Sequence, residues 1–381
     1  MISGFVFVAR ILDMLNDRVA LSWTSIGVFS TRSKGLALMK ASGTLSLVPT
    51  VFEICAGAGG QAIGLEAAGF DCVAAVEIDH HACETLRLNR PQWNVVEEDV
   101  RKVDGTRYRG QVDLLAGGVP CPPFSIAGKQ LGGDDERDLF PEALRLATEM
   151  QPRAIMLENV AGFASEKFRE YRRGLFARLK RRGYIADFEI LNASSFGVPQ
   201  LRPRCVVVAL KAGDFDYFRW PEGNGLVASS VGEVLSDLIA AGGWRGASKW
   251  VRRANGIAPT VVGGSKKHGG PDLGPTRARA QWAQLGVDGL GISDAAPDRD
   301  FPVDAMPKLT VQMVARIQGF PDSWQIAGRK TAAYRQVGNA FPPPVAEKVA
   351  AAIRRAFERA DEAPLDGEQT RSFGRKQAAT S

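Results

Sequence analysis

Between Val48 and Leu210, short apolar runs alternate with stretches of helical period. Val48–Cys55, Cys72–Val76, Val112–Ala116, Ala154–Leu157, Ile185–Leu191 and Cys205–Leu210 read as strands, with Gly60–Ala68 and His81–Arg90 as helices between them. A parallel neighbour can be reached only by a crossover, so strands spaced by helical patterns form βαβ units whose helices cover both faces of the sheet. The expected class is α/β with a parallel sheet. Lys167–Arg182 is basic, but Phe168, Leu175, Phe176 and Leu179 recur in it at helical spacing, so it reads as a helix with a solvated face.

Outside this frame the texture changes. Residues 1–47 show no clear period and read as an extension of doubtful structure, with Met39 as a candidate start. From 212 to 306, Gly, Pro and Trp become prominent and long helical periods fade. Helical pattern resumes over 307–360, and 361–381 is polar and reads as a disordered tail. The expected division is a core of 48–211 with 307–360, interrupted by a second region, 212–306.

Composition narrows the function. Apolar residues make up 45% and charged residues 24%, the balance of a globular chain. Five cysteines (Cys55, Cys72, Cys83, Cys121, Cys205) include no Cys-x-x-Cys pair, so neither a disulfide framework nor a zinc site is expected. A reducing cytoplasm fits that usage. The three histidines, His80, His81 and His268, suggest no triad or metal site. No apolar run reaches the roughly 18–20 residues of a membrane span. The net charge of +6 admits a nucleic-acid partner. Much of it gathers in Arg245–Arg279, which holds eight Lys or Arg against the single acid Asp272. Within that span Lys266 and Lys267 sit in a loop flanked by Gly263-Gly264 and Gly269-Gly270, where bare backbone can approach a polyanion.

Four short motifs carry chemistry. Glu53-Ile54-Cys55-Ala56-Gly57-Ala58-Gly59-Gly60 joins a strand to a helix, and its glycines allow a turn whose N–H groups face a ligand. Glu77 ends the next strand, where an acid suits paired ribose hydroxyls, and Asp99 could accept from an adenine amino group. A nicotinamide oxidoreductase would show nearly the same signature. Pro120-Cys121-Pro122-Pro123-Phe124-Ser125 follows a strand end, with prolines holding the sulfur in a defined direction and a long polar loop behind it. Leu157-Glu158-Asn159-Val160 brings a carboxyl to the same sheet edge, able to protonate a substrate heteroatom. Gln200-Leu201-Arg202-Pro203-Arg204 sets two arginines two residues apart, able to hold a phosphate or carbonyl oxygen.

In this order the motifs resemble the DNA (cytosine-5)-methyltransferase family, of the bacterial restriction–modification type. Ile317-Gln318-Gly319-Phe320-Pro321 and Gln336-Val337-Gly338-Asn339-Ala340-Phe341-Pro342-Pro343 extend the match, which covers Val48 to Arg359. The resemblance implies a Rossmann-like methyltransferase domain with a smaller target-recognition domain over 212–306. It implies S-adenosylmethionine held by Ala56, Gly57, Ala58, Gly59, Gly60, Glu77, Ile78, Asp99 and Asn339. Cys121 would attack C6 of a flipped-out cytosine, Glu158 would serve N3, Arg204 would bind O2, and Arg202 would support a phosphate or the loop. Ser125, Lys266 and Lys267 would contact DNA. The implied partners are double-stranded DNA and a separately encoded restriction endonuclease, with the chain acting as a cytoplasmic monomer. The sequence departs from the family pattern at Cys55 (usually Phe), Ile78 (usually aromatic), Pro122 (commonly Gln) and Gln312-Met313 (frequently Arg-Glu).

Overall fold

The computed structural model describes residues 48–120, 138–223, 225, 228–264 and 270–363, with three short strands before them. The chain divides into two compact units, Met1–Val48 and Pro49–Ser381. In the first, β1 (Val28–Phe29), β2 (Ala37–Met39) and β3 (Leu45–Leu47) pair as an antiparallel sheet, so the leader does contain regular structure.

The second unit is built on seven strands: β4 (Thr50–Ile54), β5 (Asp71–Glu77), β6 (Val95–Glu97), β7 (Leu114–Gly118), β8 (Ala154–Val160), β9 (Tyr184–Asn192) and β10 (Pro203–Lys211). Their spatial order is β6-β5-β4-β7-β8-β10-β9. Alternation decides which face each residue covers. Phe52, Ile54, Ile155, Leu157, Cys205 and Val207 join one cluster, packed with Phe140 and Leu144 of α3 (Phe140–Met150). Val51, Ala154, Met156, Val206 and Val208 join the opposite cluster, under Val345, Val349 and Ile353 of the C-terminal helix. Both faces are dry over β4, β7, β8 and β10, which is why those strands read as apolar runs, whereas β9 alternates buried with exposed residues at the sheet edge.

One expectation needs correction. The sheet is not all parallel: β10 runs antiparallel to both β8 and β9. The link from Asn192 to Pro203 is too short for a crossover helix, so the chain returns as a hairpin. The reversal matters, because it carries the start of β10 to the edge where β7 and β8 end. Arg204 lies opposite Val160 and Cys205 opposite Asn159.

The helices of the sheet layer are α1 (Gly60–Ala67), α2 (His80–Asn89), α3 and α4 (Arg169–Arg181). Basic α4 is not solvated throughout: Arg172 is buried and donates to the carbonyls of Phe163 and Ser165. The region after 211 is more helical than its composition suggested. It contains α5 (Ala212–Phe215), α6 (Val231–Ala240), α7 (Ala247–Arg253) and α8 (Thr276–Gln284). Phe215, Phe218 and Trp220 still pack on the sheet core. From Val231 onward Leu235, Trp250 and Trp282 share a second core with Met313, Ile317, Trp324 and Val337. Those last four belong to α9 (Val311–Ile317), the loop after it, and α10 (Lys330–Asn339).

The chain then closes on α11 (Pro343–Glu362). Asp361, expected in the tail, is still helical and pairs with Arg153 at 2.9 Å. Residues 364–381 lie outside the described part. α11 packs so closely on α1 that a Cβ at Gly64 would come within 2.5 Å of the Pro343 carbonyl and 2.6 Å of Ala346 Cβ. Overpacking of this kind costs about 1–3 kcal/mol. Gly64→Ala should therefore lower the urea midpoint of unfolding by that equivalent, and an unchanged midpoint would show that the helices separate freely.

Candidate active site

The glycine turn after β4 is held from three sides. Cys55, Gly57 and Gly59 take positive φ values of 53°, 54° and 85°, so the chain doubles back on itself before α1. Only the glycines adopt that region without steric cost, which marks Cys55 as a constrained position. Gly57 N–H donates to Glu77 Oε2 at 2.8 Å, while Ile78 and Asp79 N–H donate to Glu77 Oε1 at 2.8 Å each. The Glu77 carboxylate is thus fixed at the end of β5 between the turn and the start of α2. Asp79 caps that helix through His81 and Ala82. From below, Trp324 Nε1–H donates to the Ala58 carbonyl at 2.9 Å. Its ring leaves no room for a side chain at Gly59, whose Cβ would lie 2.8 Å from it. A Cβ on Gly60 would collide with the Phe341 carbonyl, whereas one on Gly57 would meet nothing within 4 Å. Gly57 therefore faces open space.

That space is a cavity of about 260 Å³. Its walls are the glycine turn, the ends of β4 and β7, Glu77, Asp79, and the face of α10 that carries Ala332, Arg335, Gln336 and Asn339. Asn339 Nδ2 donates to the Gly264 carbonyl at 3.3 Å. Cys55 lines the cavity, but burial, reinforced by nearby Glu77, Glu53 and Asp99, pushes its thiol up, so it is no thiolate. Two buried polar groups in the cavity wall, Glu53 Oε1 and the Gln61 amide, have no partner among the described residues. Unmet polar atoms, an open Gly57 and a fixed carboxylate suit a polar, elongated ligand such as a nucleoside carrying an amino-acid chain.

Glu158 closes the other end. It is buried at the end of β8, 2.8 Å from Arg204 Nε, and its Oε2 faces Gly118. Burial pushes its carboxyl up, while Arg204 and Arg202 oppose that rise. Such an acid is ready to hold a proton against a substrate nitrogen. Next to it on β8, Asn159 Nδ2 donates to the Val119 carbonyl at 2.9 Å, which fixes the chain just past the end of β7.

Of the residues singled out by sequence, Ala56, Gly57, Ala58, Gly60, Glu77, Asn339 and Glu158 line this one cavity, with Gly59 inside the same turn and Arg204 on Glu158. Three do not behave as expected. Asp99 caps the turn at Val100–Lys102, and Arg101 holds its carboxyl at about 2; it is not part of the cavity wall. Ile78 is 66% exposed and also outside the wall. Arg202 is no phosphate contact: it is 1% exposed, and its guanidinium donates to the carbonyls of Val261 (2.6 Å), Gly338 (2.9 Å) and Ala340 (2.9 Å). Strand β10 begins only at Pro203, so Arg202 does not share the alternation of Arg204. Cys121 and Ser125 (in 121–137), and Lys266 and Lys267 (in 265–269), fall outside the described residues.

Sequence reasoning missed Gln200, Gln318, Asn159 and Trp324. Gln200 accepts from Val261 N–H and donates to Gln318 Oε1, both at 2.8 Å, and Gln318 Nε2 donates to Val337 O at 2.8 Å. All except Trp324 stood inside the matched motifs, but only burial reveals what a buried amide is for.

A family model described as C-5 cytosine-specific DNA methylase matches residues 50–355. The type II methyltransferase M.NaeI of Lentzea aerocolonigenes is 57% identical over 81% of this chain and 75% of its own length. M.NgoMIV of Neisseria gonorrhoeae, another type II methyltransferase, is 53% identical over 81% of this chain and 98% of its own length. Among solved structures, a prophage-encoded putative DNA modification methyltransferase of E. coli shares the fold at a TM-score of 0.58, with 23% identity over 81% of this chain and 99% of its own. The site and these matches together define a methyltransferase, and the chain belongs to the C-5 cytosine-specific DNA methylase family. Its activity is DNA cytosine-5 methylation, and S-adenosylmethionine is its methyl donor.

The two arginines should separate in experiment. Arg202→Leu removes a donor from three carbonyls, those of Val261 and Gly338 buried and that of Ala340 half-buried, and should cost about 3 kcal/mol of unfolding free energy in urea, at roughly 1–3 kcal/mol per unmet group. Arg204→Gln should leave the urea midpoint nearly unchanged and lower activity instead. Equal stability losses in the two would contradict the division.

Proposed function

We propose that this chain methylates C5 of cytosine within a short specific duplex sequence, as the modification enzyme of a type II restriction–modification system. The Glu158–Arg204 pair beside the approach to Cys121, at the mouth of the cavity, carries this reading. The relatives named type II methyltransferases support the restriction–modification setting, with a separately encoded endonuclease as partner.

Each residue has a chemical task. Cytosine must leave the stack, because C5 and C6 are shielded within the duplex. The Cys121 thiolate adds to C6, forming a C–S bond and pushing electrons toward N3 and O2. Glu158, held near its neutral form by burial, gives a proton or hydrogen bond to N3, and Arg204 steadies O2, so attack produces an enamine rather than a free anion. C5 of that enamine is the nucleophile, and S-adenosylmethionine supplies the methyl group it takes. A base then removes the C5 proton, the C6–S bond breaks so that Cys121 leaves as thiolate, and Glu158 takes back the N3 proton, leaving neutral 5-methylcytosine. Glu77 and the turn at Gly57–Gly60 hold the donor, with Asn339 toward its amino-acid end. Arg202 acts by fixing the wall rather than by touching substrate.

The stretch from 231 to 306, with the loop carrying Lys266 and Lys267, is the target-recognition part, and the chain works as a monomer. Gly263, ahead of that loop, packs against Gly338, whose Cβ would lie 2.5 Å from Gly263 Cα, beside Asn339.

Three measurements test the scheme. Cys121→Ser should abolish 5-methylcytosine in plasmid DNA from a methylation-free host; methylation equal to wild type would defeat the adduct. Glu158→Gln should slow single-turnover methyl transfer by about 10²-fold or more, and an unchanged rate would remove its role. Replacing Lys266 and Lys267 together by Ala should flatten the salt dependence of DNA binding by a slope of about 1 per lost phosphate contact. An identical slope would exclude the loop from the backbone interface.

A further inference from the structure

Gln61 is the second residue of α1, immediately behind the glycine turn. It is 4% exposed and lines the cavity, and neither its Oε1 nor its Nε2 has a hydrogen-bond partner among the described residues. A buried amide with both atoms unmet is costly, and folded proteins seldom keep one without a reason. Leucine or methionine would fill the same space without that cost. The helix start beside it adds unpaired backbone N–H groups that favour negative charge.

The position of Gln61 along the cavity narrows what it could meet. Glu77 sits at the Gly57 end of the turn, bonded to Gly57 N–H. Gln61 follows the opposite end, where Gly60 presses on the Phe341 carbonyl, near Asn339 and Ala340. A ligand whose ribose lies at Glu77 therefore sends its other arm toward Gln61. A second unmet polar group, Glu53 Oε1, lies in the same wall. An amide both donates and accepts, which is what a zwitterionic α-amino acid requires: Nε2–H toward the carboxylate, Oε1 toward the ammonium.

We infer that the Gln61 side chain binds the amino-acid end of the methyl donor, and that its amide is left without a partner among the described residues for that purpose. The inference rests on the reading of this cavity as the donor site. Glu53, whose carboxyl is pushed up by burial and by neighbouring Glu77, adds polarity at the same place.

Calorimetric binding to the full chain separates the alternatives. The probes are S-adenosylhomocysteine, which keeps the amino-acid end, and 5′-methylthioadenosine, which lacks it. Gln61→Met preserves length and removes both polar atoms. It should weaken S-adenosylhomocysteine binding by about 10- to 100-fold, the range for hydrogen bonds to charged groups, and leave 5′-methylthioadenosine within about twofold. Without ligand the same variant should melt higher than wild type, because an unmet buried amide has been removed. Equal weakening of both probes, no weakening of either, or a lower melting temperature would overturn the inference; the last would mean that the amide is satisfied inside the fold. Glu77→Gln is the control for the cavity itself and should weaken both probes. If it weakens neither, the donor-site reading fails, whereas a normal Glu77→Gln result with an indifferent Gln61→Met rejects Gln61 alone.

Discussion

A single buried guanidinium ties the active site together. Arg202 binds carbonyls from two distant stretches, Val261 on one side and Gly338 and Ala340 on the other. Gln200 and Gln318 extend the same network to the Val261 N–H and the Val337 carbonyl. The link before β10, the approach to the basic loop, the end of α9 and the end of α10 thus meet at one point. The charge is expensive to bury, and three carbonyls offset it only if they stay in place. That requirement makes the wall of the cavity rigid, since a shift in any one stretch would leave either the guanidinium or a carbonyl unmet.

The direction of β10 completes the chemistry. Had it been parallel, Arg204 would open at the far edge of the sheet from Glu158. The hairpin return places the two 2.8 Å apart. Glu158 then sits between opposing influences, with burial raising its proton affinity and the arginines lowering it. A carboxyl so balanced can give and recover a proton without a histidine, and the three histidines of the chain are not needed for the scheme.

Much of this was legible in the sequence, and the limits have physical causes. The central strands β4, β7, β8 and β10 could be read because both their faces are dry, so their apolar runs carry no competing pattern. β6 was missed because three residues show no period. The sense of β10 was missed because apolar runs do not encode direction; the short link after Asn192 was the available clue. Glu77, Glu158 and Arg204, singled out from motif and strand-end position, are brought together around one cavity, with Arg204 on Glu158. For Arg202 the sequence left a phosphate or the loop open, because its type and spacing match those of Arg204; its burial on the Val261, Gly338 and Ala340 carbonyls leaves no guanidinium face for a phosphate. Asp99 was read from its place after the second helix and Ile78 from the resemblance; in this structure Asp99 is engaged by Arg101 and Ile78 is exposed. Gln61 carried no signal, since a glutamine at the start of a helix is ordinary until it is seen to be buried.

The bond from Trp324 to Ala58 spans 266 residues of chain. The glycine turn is made early in synthesis, but the indole beneath it, the Phe341 carbonyl behind it and the helix packed on Gly64 are made last. Contacts so far apart in sequence bear a high loop-closure cost and form late in folding. A nascent chain emerging from the ribosome therefore carries the glycine turn and Glu158 well before the cavity they line is complete. Methyl transfer becomes available only with the whole molecule, in one step near the end of translation, rather than accumulating as the chain grows.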